Sequence, residues 1–393
     1  MRNLTKENLK FGAAGFLVFA LNSIFINFCI LFFDGAGYSE TTIGFMLSAT
    51  VVVSIASQVV TGYLGDNYLT IKKILMIDLV ITMAAVLLMI PARNSFPLLF
   101  VLFGFYSLSG RMLTQLIDGY ITRVAEKKSA LDFGFTRGIS SIGYALASLL
   151  GGMLINRLGI SLMFIMHTVI GVLALLVVAG LEDVPLPPKA GADKEKSSFK
   201  TAAAAVLRVP GFVLATLACF LMQIGIYTVM SYYPLIVVTV GGTSSHVGIG
   251  MFLLALSEVP VLWNYYRLRR KFKNGTMIVF SMLMYVLKSI VLLLFQNVAG
   301  VVLIQLMQSV TYAIFLPSAL RFLQDIIPER YTTTGLMLWM AIYSSGGQVF
   351  GSLLGGILLE NYGIVPLYWA CAVFSLAGAG LMWVVTRRQM NRG

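Results

Sequence analysis

The amino-acid sequence predicts an all-α membrane protein: twelve transmembrane helices in two pseudo-symmetric six-helix bundles, with both termini in the cytoplasm. Three observations predict it. Apolar runs of about 20 residues, enough to cross a ~30 Å hydrocarbon core, recur along the whole chain. Lysine and arginine gather at alternate ends of those runs. One stretch of the first half reappears in the second, offset by 204 residues.

The chain has 393 residues, of which 58% are hydrophobic and 11% charged, against about 25% charged in soluble domains. The apolar runs fall at 11–33, 41–64, 74–91, 97–121, 135–156, 161–181, 210–236, 246–266, 276–296, 299–322, 335–358 and 365–386. They are continuous rather than alternating, so they read as helices and not as barrel strands. The first run is too long for a signal-peptide core and lacks a small-residue cleavage site, which makes it a retained helix.

The net charge of +12 is not a nucleic-acid signature, because its distribution follows the membrane. With the N-terminus in the cytoplasm, 23 of the 28 Lys and Arg are cytoplasmic, Arg93 and Arg157 lie outside, and Arg111, Arg137 and Lys288 lie within spans. That is the positive-inside pattern, and clusters such as Arg267 to Lys273 read as headgroup anchors. Cys29, Cys219 and Cys371 sit in different spans with no disulfide or metal spacing.

After the sixth span comes a polar segment with Pro185, Pro187, Pro188 and the mixed charges of Asp193 to Lys196. It divides the chain into an N-terminal bundle (1–181), a cytoplasmic linker (182–209) and a C-terminal bundle (210–393). Residues 143–160 (GYALASLLGGMLINRLGI) and 347–364 (GQVFGSLLGGILLENYGI) match at nine of eighteen positions and occupy the fifth helix of each half. Internal symmetry of this kind marks transporters built from repeats, and the paired glycines 151/152 and 355/356 permit close helix approach.

With this repeat in place, the chain resembles the major facilitator superfamily. Gly62-Tyr63-Leu64-Gly65-Asp66 followed by Lys72 and Lys73 resembles that superfamily's loop signature. The resemblance implies a conformational latch at Gly62, Asp66, Lys72 and Lys73, although Asn67 stands where a base is usual and the lysines come late. The equivalent loop of the second half, around Asn264 to Lys273, has no acid.

A charge at the bilayer centre costs about 2.5–3.5 kcal/mol on insertion scales, so it normally meets a partner or water. Six fall in the spans: Asp78, Arg111, Asp118, Arg137, Glu258 and Lys288. Asp78 lies close to a cytoplasmic helix end, facing Lys72, Lys73 or a helix terminus. Asp118 follows Arg111 by seven residues, nearly two helical turns, so on a continuous helix both share a stripe with Ser107, Thr114, Gln115 and Thr122. Asp118 and Arg137 come to similar depth on consecutive antiparallel helices. The acid late in the fourth span, the arginine after a Phe-Gly turn opening the fifth, and Leu256-Ser257-Glu258-Val259-Pro260 resemble the lactose permease branch. There the acid and arginine hold the sugar, which implies substrate contact for Asp118 and Arg137. A salt bridge that merely orients the two helices is the other reading.

Glu258 and Lys288, mid-span on neighbouring antiparallel helices, are proton-coupling candidates together with Asp118, or else a static ion pair. Lactose permease carries Lys, His and Glu along its tenth helix. Aligned on Arg321, this chain offers Gln305, Gln308 and Thr311, which can hydrogen-bond but carry no proton. Gln223, Tyr227 and Ser231 recur at four-residue spacing, and Trp339, Tyr343 and Ser344 stand in the eleventh span; Asn22 and Asn27 occupy the first. Each set suits cavity lining or helix contact. His167 reads as packed and His246 as exposed.

The function expected is secondary active transport of a small polar, sugar-like solute at a plasma or bacterial inner membrane, by proton-coupled symport. A proton-coupled efflux antiporter for amphiphilic compounds or drugs is the alternative; the superfamily's drug antiporters typically carry a Gly-Pro-x-x-Gly-Gly kink in the fifth span, and this chain departs from them in having no proline between Arg137 and Gly180. No Gly-x-Ser-x-Gly or His-Glu-x-x-His motif is present, so no enzyme is expected. The expected partners are a small-molecule substrate, protons and the lipid bilayer, with no cofactor, no metal and no nucleic acid, and the chain is expected to act as a monomer.

Overall fold

The computed structural model describes residues 5–127, 131–184 and 199–390. All regular structure among the described residues is helical. The helices are α1 (Lys6–Ile26), α2 (Cys29–Gly35), α3 (Glu40–Asn67), α4 (Ile71–Leu88), α5 (Phe96–Ser109), α6 (Leu113–Lys127), α7 (Phe133–Leu158), α8 (Leu162–Ala179) and α9 (Phe199–Leu207). There follow α10 (Phe212–Met230), α11 (Tyr233–Thr239), α12 (Ser244–Lys271), α13 (Asn274–Leu294), α14 (Val298–Leu303), α15 (Tyr312–Ile326), α16 (Thr332–Trp339), α17 (Gly347–Tyr362) and α18 (Ile364–Met390).

Among the described residues, eleven helical segments are long and apolar enough to cross a membrane, including Lys6–Gly35, Phe96–Ala125 and Val298–Ile326, each of which joins two of these helices. The run expected at 74–91 forms α4, whose 18 residues include Lys72, Lys73 and Asp78. Three charges in so short a helix separate it from the other eleven. Thr70 caps α4 by accepting the Lys73 backbone N–H. Lys72 Nζ donates to the carbonyls of Ala179 and Leu181, an ammonium placed where the carbonyls at the end of α8 lack partners. Lys72 therefore does not face Asp78, whose Oδ2 is buried with no hydrogen-bond partner. Of the expected linker, 185–198 lies outside the described residues, and α9 occupies most of the remainder.

The chain forms two compact units. The first is Met1–Tyr38, Ala49–Gly191 and Gly242–Phe252; the second is Ser39–Ser48, Ala192–Gly241 and Leu253–Gly393. In the first, α1 packs on α7, α8 and α6 around Val18, Leu21, Leu75, Ile117 and Tyr120. In the second, α10 packs on α18 and α17, and α13 on α18 and α15, around Met222, Met282, Phe315, Trp339 and Met382.

The repeat seen in the sequence recurs in backbone detail at the same offset of 204. α7 ends at Gly159 (φ 92°) and α17 at Gly363 (φ 77°), a left-handed C-terminal position that glycine reaches without steric cost. A Cβ on Gly152 would lie 2.4 Å from Ser244 O, and one on Gly356 would lie 2.4 Å from Glu40 O. Those close approaches explain why the first turns of α12 pack in the first unit and those of α3 in the second. The α1/α2 helix breaks at Asn27–Phe28 and the α10/α11 helix at Ser231–Tyr232.

Candidate functional site

In the first unit, α6 and α7 bring Asp118 and Arg137 together, with Arg137 Nε 3.1 Å from Asp118 Oδ2. Asp132 caps α7 by accepting the Phe135 backbone N–H, which sets the entry of the helix that carries Arg137. Arg137 Nη1 donates to Ser141 Oγ at 2.7 Å, and the guanidinium lies over the Phe19 ring, 4.3 Å from its centroid. The pair is only partly covered, with side chains 37% and 27% exposed, while Asp118 Oδ1 is buried with no hydrogen-bond partner. One carboxylate oxygen is thus committed to arginine and the other has acceptor capacity unspent.

Arg111 departs from the expected stripe. The helix is not continuous: a 3-10 turn, Gly110–Met112, separates α5 from α6, so the seven-residue argument does not carry across it. Arg111 comes within electrostatic reach of Cys29 and Tyr106, and its Nε and Nη2 are buried with no hydrogen-bond partner. Asn22 Nδ2 lies 3.5 Å from Gly110 O, the carbonyl at the break, and Gln115 is exposed on α6. Asn27 belongs to a buried network: Tyr144 OH donates to its Oδ1 at 2.9 Å, and its Nδ2 donates to Ser148 Oγ at 2.9 Å and Ser23 Oγ at 3.1 Å. That is a helix-contact role for Asn27. His167 is fully buried, its ring edge-on to Phe25.

Of the expected latch, Gly62 has open space where a Cβ would stand, Lys72 is engaged at the end of α8, and Lys73 is exposed. The acid, Asp66, lies in the last turn of α3, and its side chain falls outside what the structure describes.

The second unit encloses a cavity of ≈180 Å³. Three irregular segments shape it. A 3-10 turn, Ile304–Ser309, interrupts the helix between α14 and α15. Side chains three apart on such a turn eclipse one another, so Gln305 and Gln308 stand on one face. A π-helical stretch, Met340–Gly346, precedes α17 and supplies Ser344. The break before α11 supplies Tyr233. Gln223 and Tyr227 from α10 also line the cavity, as do Tyr285 and Lys288 from α13.

Glu258 and Lys288 each meet a glutamine of the 3-10 turn. Lys288 Nζ donates to Gln305 Oε1, and Gln308 Nε2 donates to Glu258 Oε1, both at 3.1 Å. An ammonium only donates and a carboxylate only accepts, so each charge fixes the orientation of the amide it meets. Glu258 stands two residues before Pro260, inside α12, where the missing proline N–H leaves a helix carbonyl without its usual partner. Gln223 Oε1 and the Tyr368 hydroxyl are buried without hydrogen-bond partners, the Tyr233 hydroxyl is buried beside Gln305, and all three residues line the cavity. Ser231, by contrast, pairs with Ser352 Oγ at 2.7 Å and serves helix contact. Tyr233, Tyr285, Tyr368 and Cys371 are lining residues that sequence reasoning missed. Only the spacing of Tyr285 and Lys288, three apart on one helix face, pointed towards one of them.

Comparison with known proteins follows this architecture. The "Maltose permease" of Geobacillus stearothermophilus is 24% identical over 378 residues, covering 96% of this chain and 94% of that protein. A solved structure of the nucleoside transporter NupG, in a single-site mutant form, superposes with a TM-score of 0.83 at 14% identity, covering 97% of this chain and 99% of that one. A solved D-xylose-proton symporter gives a TM-score of 0.73 at 15% identity, with 96% and 97% covered. At such identities these structures show a shared fold. The family described as MFS_1 like matches residues 9–370, and the chain therefore belongs to the MFS_1 like family of multi-pass membrane transporters.

Proposed function

We propose that this protein is a proton-coupled symporter of a small, sugar-like polar solute, working by alternating access in a plasma or bacterial inner membrane. The observation that carries the reading is the second unit's cavity, whose polar lining is held by breaks in otherwise continuous apolar helices. Irregular backbone inside a membrane is tolerated where it lines a cavity, and discontinuous helices are where transporters of this architecture place their sites. The names of the maltose permease and the xylose-proton symporter support the solute class. The reading counts twelve spans with α4 included, divides the halves at 182–209 and, in keeping with the positive-inside distribution, has both termini in the cytoplasm.

In this reading Asp118, Arg137, Arg111, Gln115 and Asn22 contact solute from the first half, and Gln223, Tyr227, Gln305 and Gln308 from the second. Proton coupling has a local mechanism. Ionised Glu258 accepts from Gln308 Nε2. On protonation the carboxyl gains an O–H donor, and Gln308 can then turn its carbonyl to it and its NH₂ to the cavity. One proton thereby changes the hydrogen-bond pattern offered to solute. Lys288, bound to Gln305, sets the second amide. Gly62, Asp66, Lys72 and Lys73 act as the latch.

The test is uptake of radiolabelled maltose, xylose and uridine into proteoliposomes under an imposed pH gradient. Accumulation that requires an acidic outside supports symport, and export under the same gradient selects an antiporter. Accumulation indifferent to the gradient, or none at all, overturns the proposal.

A further inference from the structure

Lys288 is a cation held inside an apolar unit with a neutral amide as its hydrogen-bond partner, Gln305 Oε1 at 3.1 Å. No carboxylate reaches it among the described residues. Three acids of this unit have other partners: Glu258 accepts from Gln308, Glu360 from the Thr41 backbone N–H at 2.9 Å, and Asp325 from Asn274 at 3.0 Å. An ammonium has three donors, so two of its N–H groups remain, and the side chain lines the cavity. A half-buried ammonium that forms no ion pair gains from a carboxylate, and the cavity that it lines is where a solute can bring one.

The rest of the lining is chemically different. Gln223 Oε1 is an acceptor without a donor, the Tyr368 hydroxyl is without a partner, and the Tyr233 hydroxyl stands beside Gln305. Gln223, Tyr233 and Tyr368 are 4%, 1% and 0% exposed, so solute reaches their polar atoms only as the lining moves around it. These groups suit solute hydroxyls, which both donate and accept. The volume of ≈180 Å³ suits one ring and not a chain of them.

We infer that the cavity of the second unit binds a monosaccharide-sized sugar acid, with Lys288 as the anchor for its carboxylate and Gln223, Tyr233 and Tyr368 reading its hydroxyls. The inference rests on the transport reading above and narrows its solute class. A single ammonium matches a monoanionic carboxylate. A phosphate ester, at about −1.5 to −2 charges at pH 7, would leave charge uncompensated in the same space.

The test is equilibrium binding to the purified full chain in detergent, by calorimetry, with matched probes: D-glucuronate against D-glucose, D-galacturonate against D-galactose, and glucose 6-phosphate. Within each pair a carboxylate replaces a hydroxymethyl group on an unchanged ring. The expected result is that one uronate binds at least tenfold tighter than its parent sugar and tighter than the phosphate ester. Lys288→Gln should abolish that preference, with residual sugar binding and a single elution peak showing a folded protein, and Lys288→Arg should keep it. Absence of uronate binding, a neutral sugar or the phosphate binding as tightly, or a preference that survives Lys288→Gln overturns the inference. Failure of the transport reading is seen separately, in proteoliposomes that accumulate none of the radiolabelled uronate under the same pH gradient although uronate binds.

Discussion

In the first unit Asn27 donates to Ser148; in the second, 204 residues on, Ser231 meets Ser352. The same pairing of units repeats in the glycines that end α7 and α17 and in those that admit Ser244 and Glu40. The charges do not repeat. Arg111, Asp118 and Arg137 have Phe315, Phe322 and Ala341 as counterparts, and the second unit instead carries Glu258 and Lys288 on helices with no matching charge. The first unit holds its ion pair directly, acid to arginine and partly exposed. The second separates its two charges and gives each a glutamine beside a cavity. A shared scaffold thus carries one site that presents charge and another that presents hydrogen bonds oriented by charge.

If that contrast is functional, breaking the first unit's pair should have the largest effect. Asp118→Asn and Arg137→Ala should each lower uptake by about 100-fold or more, some 2.7 kcal/mol at 1.36 kcal/mol per decade. Thermal stability in detergent should barely change, because a partly exposed pair contributes roughly 0–1 kcal/mol to folding. Normal uptake in either variant would assign the pair to helix orientation alone.

How far the sequence revealed this contrast depended on the kind of signal. Apolar runs and the Gly-Gly repeat were legible because lipid and close packing each impose a composition. The Asp118–Arg137 contact was legible because both residues lie a short way into consecutive antiparallel spans. The breaks were not. Ile304–Ser309 and Met340–Gly346 contain no proline, so the strongest local signal of a helix break is missing from both. The stripe expected to join Arg111 to Asp118 failed for the same reason, although Gly110 stood at the break as a possible warning. Tyrosines of the cavity were hidden because in a membrane segment they count as apolar.

The scaffold itself predicts equal sensitivity in the two units. Gly152→Ala and Gly356→Ala both place a methyl 2.4 Å from a carbonyl oxygen, and each should cost about 1–3 kcal/mol as overpacking. The measurement is the midpoint of thermal unfolding in detergent. A clear loss in one and none in the other would show that the repeat is not equally close-packed.

Coupling should break the symmetry again. Glu258→Gln removes the carboxyl group but leaves an amide able to face Gln308. Counterflow exchange should therefore persist while gradient-driven accumulation falls about tenfold, some 1.4 kcal/mol of lost driving force on the same conversion. Unchanged accumulation would return Glu258 to a structural role.

The smallest effect separates two serines that the sequence treats as equivalent. Membrane-embedded side-chain hydrogen bonds average about 0.6 kcal/mol and reach about 1.7 kcal/mol. Where Ser148→Ala removes one hydroxyl, Asn27 Nδ2 still donates to Ser23 Oγ, and Ser23 still donates to the Tyr144 carbonyl. Ser352→Ala leaves the Ser231 hydroxyl without its partner, and an orphaned group is more costly than a missing pair. The second substitution should therefore lower the unfolding midpoint more than the first, and adding Ser231→Ala to it should recover part of the loss. Equal shifts, or no recovery in the double variant, would mean that the two units are alike in stability as well as in backbone, and that their difference resides in the charges alone.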